Sequence, residues 1–246
     1  MSLINEFARS GNRLFKHRSY IPLFLYIIVI PVLYFEKDEF FNFENLWWVV
    51  ACFLVSFSGQ IIRALTIGFT PQNTSGRNTK AGQVAEQLNT KGMYSIVRHP
   101  LYLGNFMMWL GLILYVGSVE FLIFAVFFFW IYYERIMFAE EQYVSKKFGD
   151  EFDQWSSKTP AFFPKLKGYV KTGVSFSLKN ILKREYHGFY ATILSFTIVY
   201  LLKQFFYNGS FFMDVFWIFF LGTGTLIYLI IRIIVKKTKW FHVEGR

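Results

Sequence analysis

The sequence predicts an all-α, polytopic membrane protein of about six transmembrane helices. Three observations carry that prediction. Of the 246 residues, 54% are hydrophobic and only 17% are charged, against about 25% charged in ordinary soluble domains. The apolar residues collect in runs of membrane-crossing length instead of alternating with polar ones. The basic residues, which give a net charge of +10, cluster beside those runs, where positive charge marks inside loops.

The runs follow in order. Residues 20–35, "YIPLFLYIIVIPVLYF", form the first, and Pro31 is expected to kink or end its helix. Residues 46–69 form the second. Residues 102–117 and 119–138 are parted only by Gly117-Ser118, which predicts an antiparallel helical hairpin. Residues 190–206 and 211–235 predict a second hairpin around "YNGS". Cys52 is the single cysteine, so no intrachain disulfide forms, and its apolar setting predicts a packed thiol.

Charge sets the expected orientation. Arg9, Arg13, Lys16 and Arg18 place the N-terminal segment in the cytoplasm, and "KKTKW" does the same for the C-terminal segment. The acidic stretch "EKDEFFNFEN" is expected outside. No cleavable signal peptide is evident at the N-terminus. Basic clusters beside apolar spans fit anionic headgroups, so the expected partner is the bilayer and not nucleic acid. No metal-ligand spacing is present.

Segments 70–101 and 139–189 then face the cytoplasm, and both exceed minimal connectors. In the second, "EEQYVSKKFGDEFDQW" carries aromatics at 143, 148, 152 and 155, the pattern of an interfacial helix. The chain divides into N-terminal transmembrane helices (1–58), a core with ligand-binding loops (59–168), and a linker with a C-terminal hairpin (169–246).

The chemistry concentrates in "YSIVRHPLYLGN", residues 94–105. Arg98 and His99 precede Pro100, which suits the first turn of a helix. Helix starts attract anionic groups. Gly104 permits close approach of a ligand or a helix, and Asn105 adds a polar side chain. Glu140 and Glu141 end the 119–138 run, and the hairpin brings them back to Arg98 and His99. Glu134, Arg135 and Arg63 sit inside apolar runs, where each charge needs a partner or a function. A structural ion pair and a topology signal also explain these charges.

The ordered set "LNTKGMYSIVRHPLYLGN", "EEQYVSKKFGDEF" and "TPAFFPKL" resembles the isoprenylcysteine carboxyl methyltransferase family and the wider group of membrane phospholipid methyltransferases. Gly92, Tyr94, Arg98, His99, Pro100, Tyr102, Gly104, Glu140, Glu141, Phe148 and Gly149 carry the pattern over residues 59–166, with Phe152 where Tyr is usual. The resemblance implies S-adenosylmethionine as cofactor, held by Tyr94, His99, Pro100, Leu101, Tyr102, Gly104, Glu140 and Glu141. It also implies a contact from Glu86, Gln87, Leu88 and Asn89. Arg98, Arg135 and Glu134 are the candidates to handle the acceptor. The prenylcysteine enzymes have an Arg four residues before the cofactor-contacting Glu. Here Ile136 stands there and Arg135 is adjacent, about 100° around the helix.

The function so implied is methyl transfer to a lipidic or prenylated acceptor with a carboxylate, phosphate or amine headgroup. Both termini would be cytoplasmic, in a bacterial inner membrane. An NADPH-dependent membrane reductase of related architecture and a non-catalytic transporter or structural protein remain alternatives.

Overall fold

The structure, a computed structural model, describes residues 2–18, 20–35, 45–71, 74, 77–79, 82–84 and 86–245. It is helical apart from one short ribbon. The helices are α1 (Leu3–Lys16), α2 (Phe24–Phe35), α3 (Leu46–Gly68), α4 (Pro100–Val116), α5 (Val119–Phe148), α6 (Asp150–Ser156), α7 (Leu178–Asn208) and α8 (Val215–Lys237). The ribbon pairs β1 (Arg77–Thr79) with β2 (Gly82–Val84), antiparallel. The expected outside stretch 36–45 lies, apart from Asn45, beyond the described residues.

The chain is an integral membrane protein. Four helices, α3, α5, α7 and α8, are long and apolar enough to cross a bilayer. A fifth span results if α1 and the 21–35 segment, bent by 75°, count as one broken helix. At 17 residues, α4 is a shorter apolar helix. On α8 the side chains of Phe216, Ile218, Phe219, Leu226, Ile230 and Ile233 are exposed, as a lipid-facing surface requires.

Local signals explain the boundaries. Asn45 caps α3 by accepting from the Trp47 amide, and Ser177 caps α7 by accepting from Asn180. Gly117, at φ 91°, ends α4, and Ser118 starts α5 by accepting from the Phe121 amide. That two-residue reversal makes the expected hairpin. The structure differs from expectation at several points. Pro31 lies within α2 and does not end it; the sharp bend comes earlier in the chain. Helix α5 runs on to Phe148, so Glu140 and Glu141 lie two turns inside it and not at its end. Gly149, at φ 50°, breaks the chain there, so the expected interfacial helix is divided between the end of α5 and the short α6. Helix α7 starts at Leu178, twelve residues before the expected 190. The expected 58/59 boundary falls within α3.

Packing between α3 and α4 depends on small residues. A Cβ at Gly59 would overlap the Gly104 carbonyl oxygen, and one at Gly111 would overlap the Cys52 carbonyl oxygen. The Ser56 hydroxyl donates to the Met108 carbonyl at 2.6 Å. Lipid tails are as apolar as the helix faces, so close backbone approach and such polar contacts hold membrane helices together. Helix α1 packs on α5 in the same way, with Gly11 against the Arg135 carbonyl and Phe7 edge-on to Phe138.

Candidate active site

The loop before α4 is fixed by the chain that returns after α6. The Arg98 amide donates to the Pro160 carbonyl at 2.9 Å and the His99 amide to Ala161 at 3.2 Å. The Lys165 amide donates back to Ile96 at 2.9 Å. Gly92, at φ 62°, opens a 3₁₀ turn over Gly92–Ser95 and donates its amide to Val170. The Trp155 indole N–H donates to the Tyr94 carbonyl at 2.9 Å. These bonds explain why the RHP stretch and "TPAFFPKL" occur together in the sequence.

Glu141 sits at the centre of the first charge cluster. The Arg98 guanidinium reaches it twice, with Nε at 2.7 Å and NH2 at 3.2 Å. His99 Nε2 is 2.8 Å from the same carboxylate. Arg98 NH1 donates to the Ser156 and Thr159 carbonyls at 2.9 and 2.6 Å, which caps the end of α6. Arg98 is therefore a clamp joining α5, α6 and the start of α4.

Glu140 is different. The Tyr102 hydroxyl donates to its Oε2 at 2.9 Å, and His99 Nδ1 lies 3.8 Å from that oxygen. Its Oε1 has no protein donor among the described residues. The His99 and Tyr102 rings stack at 5.6 Å, and Tyr102 lies 5.1 Å from Tyr133.

These groups line a cavity of about 630 Å³, shared with Arg18, Arg63, Trp109, Phe152, Trp155, Arg184 and Gly188. Of the sequence candidates it receives Leu88, Tyr94, Arg98, His99, Pro100, Leu101, Tyr102, Glu140 and Glu141. Burial pushes the Tyr94 phenol above its ordinary range, helped by the negative charge of Glu140. Tyr94 therefore stays neutral and offers a hydroxyl, not an anion.

The other candidates fall elsewhere. Glu86 and Gln87 are exposed, with Gln87 bridging to Thr74. Asn89 is half-buried and does not line the cavity. Gly104 faces α3, where its missing Cβ makes room for the Arg63 side chain; it serves helix packing. Glu134 is exposed on α5. Arg135 turns to α1, its guanidinium 3.3 Å from the centre of the Phe7 ring. Neither Glu134 nor Arg135 lines the cavity, because the adjacent Tyr133 holds the inward face of α5.

Arg63 is brought into the cavity with a partner that sequence reasoning missed. Glu185 of α7 accepts from its Nε at 2.6 Å and its NH2 at 2.8 Å. Asn105 accepts from NH1 at 2.7 Å. Arg184 and Glu185 stand together in "ILKREYHGFY". The signal is a charge pair at the edge of an apolar run, outside the helix expected over 190–206.

The chemistry available is specific. One carboxylate oxygen is open to a cation, and aromatic walls suit a flat or cationic group. No cluster of three or more His, Cys, Asp or Glu side chains suited to a metal occurs among the described residues.

Comparison with known proteins finds relatives for the central part of the chain. Residues 46–151 match the phospholipid methyltransferase family. The chain is 31% identical to the protein-S-isoprenylcysteine O-methyltransferase of Schizosaccharomyces pombe over 127 residues, 46% of this chain and 53% of that one. It is 36% identical to the nickel-cobalt-cadmium resistance protein NccN of Alcaligenes xylosoxydans over 86 residues, 35% of this chain and 40% of the relative. The cobalt-zinc-cadmium resistance protein CzcN of Cupriavidus metallidurans is 34% identical over 89 residues, 36% of this chain and 41% of the relative. The chain thus spans about half or less of these relatives. No solved structure matches it. The matched residues 46–151 hold α3, α4, α5 and most of the cavity wall, and over them the chain is similar to the phospholipid methyltransferase family and to the S. pombe isoprenylcysteine methyltransferase.

Proposed function

We propose that the cavity binds S-adenosylmethionine and directs its methyl group to a lipidic or prenylated acceptor. The observation that carries this reading is the open Oε1 of Glu140, in an aromatic-walled space beside the start of α4. A carboxylate with one free oxygen suits an ammonium group. Tyr94, Tyr102 and Trp155 suit a sulfonium and a purine. The volume of about 630 Å³ falls within the range of small-molecule sites.

When bound, the cofactor supplies an electrophilic methyl carbon on a positively charged sulfur. In the transfer a lone pair of the acceptor would form the new bond to that carbon while the carbon–sulfur bond breaks and its electron pair stays on sulfur. The chain's residues align and exclude water. Glu140 and Tyr102 hold the cofactor end. Arg98, by clamping Glu141 and α6, keeps Phe152 and Trp155 against the cavity. An anionic acceptor loses its charge in the transfer and needs no base. A dry site favours that loss of charge once binding has supplied the desolvation. We further propose that the cavity faces the cytoplasm of a bacterial inner membrane, on the strength of the Lys and Arg residues gathered at that end.

Calorimetry on the detergent-solubilised protein tests the reading. S-adenosylmethionine should bind, NADPH should not, and Glu140→Gln should weaken binding about tenfold or more, the value of one charge-assisted contact. Unchanged affinity in Glu140→Gln, or preference for NADPH, sinks it. Radiolabelled methyl transfer into membrane extracts then identifies the product.

A further inference from the structure

Helix α8 lies outside the matched segment 46–151 and packs weakly on the rest of the molecule. Only 6% of its apolar window is buried, and its buried residues are Trp217 and Gly224. From Thr225 to Lys237 none of its residues is buried. That half meets α7 through a few polar and aromatic groups. The Tyr190 and Thr225 hydroxyls are 3.2 Å apart. The Tyr228 ring stacks on Tyr190 at 4.4 Å and lies 5.5 Å from Tyr186.

A linked array of donors grows from that stack. Arg232 NH1 donates to the Tyr228 hydroxyl at 2.8 Å, and the same hydroxyl lies 3.4 Å from His187 Nδ1. Having accepted from Arg232, the hydroxyl has its own proton to offer Nδ1. The neutral imidazole then carries its hydrogen on Nε2, as a donor. Arg232 spends one of its five N–H donors on Tyr228, and the other four have no acceptor among the described residues. Lys236 stands one turn beyond Arg232 on α8, and both cations lie within electrostatic reach of His187. No carboxylate pairs with Arg232, Lys236 or His187 among the described residues. Two cations gathered without an acid repel each other, and an anion set among them turns that repulsion into attraction. The planar fork of an arginine matches a phosphate.

We propose that His187, Tyr228, Arg232 and Lys236 form a site for the phosphate headgroup of an anionic phospholipid of the surrounding bilayer, bridging α7 and α8. Its occupant is a lipid and not a free phosphate ion because the same stretch of α8 presents apolar surface for the tails. Leu226, Leu229, Ile230 and Ile233 are between 46% and 59% exposed, on a helix long and apolar enough to cross the membrane. Basic pockets between such helices hold anionic headgroups. None of the four site residues lines the large cavity, so this lipid is a fixture that pins α8 to α7 and not a methyl acceptor. The assignment is independent of the methyltransferase reading.

The test measures lipid binding to the full-length protein in mild detergent by native mass spectrometry, with the thermal midpoint recorded alongside. The probes are dioleoylphosphatidylglycerol, which is anionic, dioleoylphosphatidylcholine, which has the same tails and no net charge, and inorganic phosphate. Phosphatidylglycerol should bind about tenfold more tightly than phosphatidylcholine and should raise the midpoint, as a ligand of the folded state does. Arg232→Gln should weaken phosphatidylglycerol about tenfold and abolish the rise in midpoint. Tyr228→Phe keeps the ring stack and removes the link between Arg232 and His187, so it should weaken that lipid about threefold. Monodisperse elution of both variants in lipid-free detergent shows that they fold; if they do not, the comparison of the two lipids on the wild type decides. Equal binding of the two lipids, or full phosphatidylglycerol affinity in both folded variants, overturns the site. A rise in midpoint with inorganic phosphate equal to that with phosphatidylglycerol overturns the lipid as its occupant.

Discussion

Arg98 commits four of its five N–H donors to Glu141, Ser156 and Thr159. A lysine has the charge but not the fork, and cannot reach a carboxylate and two carbonyls together. Arg98→Lys should therefore destabilise the protein by about 1–3 kcal/mol, read as a lower thermal midpoint in detergent. A midpoint equal to that of the wild type would remove Arg98 as a clamp. Glu134 provides the contrast on the same helix as Glu140. It is exposed and away from the cavity, so Glu134→Gln should leave cofactor affinity within about twofold. The Glu-Glu pair was legible because a two-residue reversal forces the far part of α5 back along α4. The separate tasks of the two acids were not legible. Glu141 meets Arg98 and His99 while Glu140 meets Tyr102, and that division depends on the rotation of α5, which the spacing of single residues does not resolve.

Elements were legible where composition alone defines them. The runs at 46–69, 102–117 and 119–138 became α3, α4 and the first part of α5, with ends displaced by a few residues. The misses share one cause. Charged residues suggest the end of a membrane helix, yet α5 continues past Glu140 and α7 begins before Arg184. Both helices wall a polar cavity, where charges find partners. Small residues within helices give a sharper test at this scale. Gly111→Ala would force a Cβ onto the Cys52 carbonyl and Ser56, whereas Gly222 on α8 has nothing within 4 Å of its Cβ position. Gly111→Ala should cost about 1–3 kcal/mol through overpacking, seen as loss of monodisperse protein and a lower thermal midpoint. Gly222→Ala should leave the midpoint unchanged or raise it, because alanine is the better helix former. Equal behaviour of the two variants would mean that α3 and α4 are not in close contact.

At the scale of the molecule, the contacts that join the C-terminal helices to the matched core include an ion pair that spans 122 positions in sequence. No local pattern announces such a pair; Arg63 looks like an isolated intramembrane charge and Glu185 like part of a polar segment until the fold brings them together. The same pair distinguishes stability from function. Arg63→Met or Glu185→Leu alone strands a charge in a mostly buried place, at a cost of about 3 kcal/mol. Replacing both removes the two desolvation penalties with the attraction, so the double variant should return to within about 1 kcal/mol of the wild type. If Arg63 also serves the transfer, the double variant will be stable, will keep its affinity for S-adenosylmethionine, and will fail to methylate its acceptor. Thermal unfolding, calorimetry and methyl transfer on the four proteins of the cycle measure these three properties separately. Full methyl transfer by a stable double variant would reduce Arg63 and Glu185 to a structural latch. Loss of transfer with stability regained means that α7 positions a cation that the transfer needs.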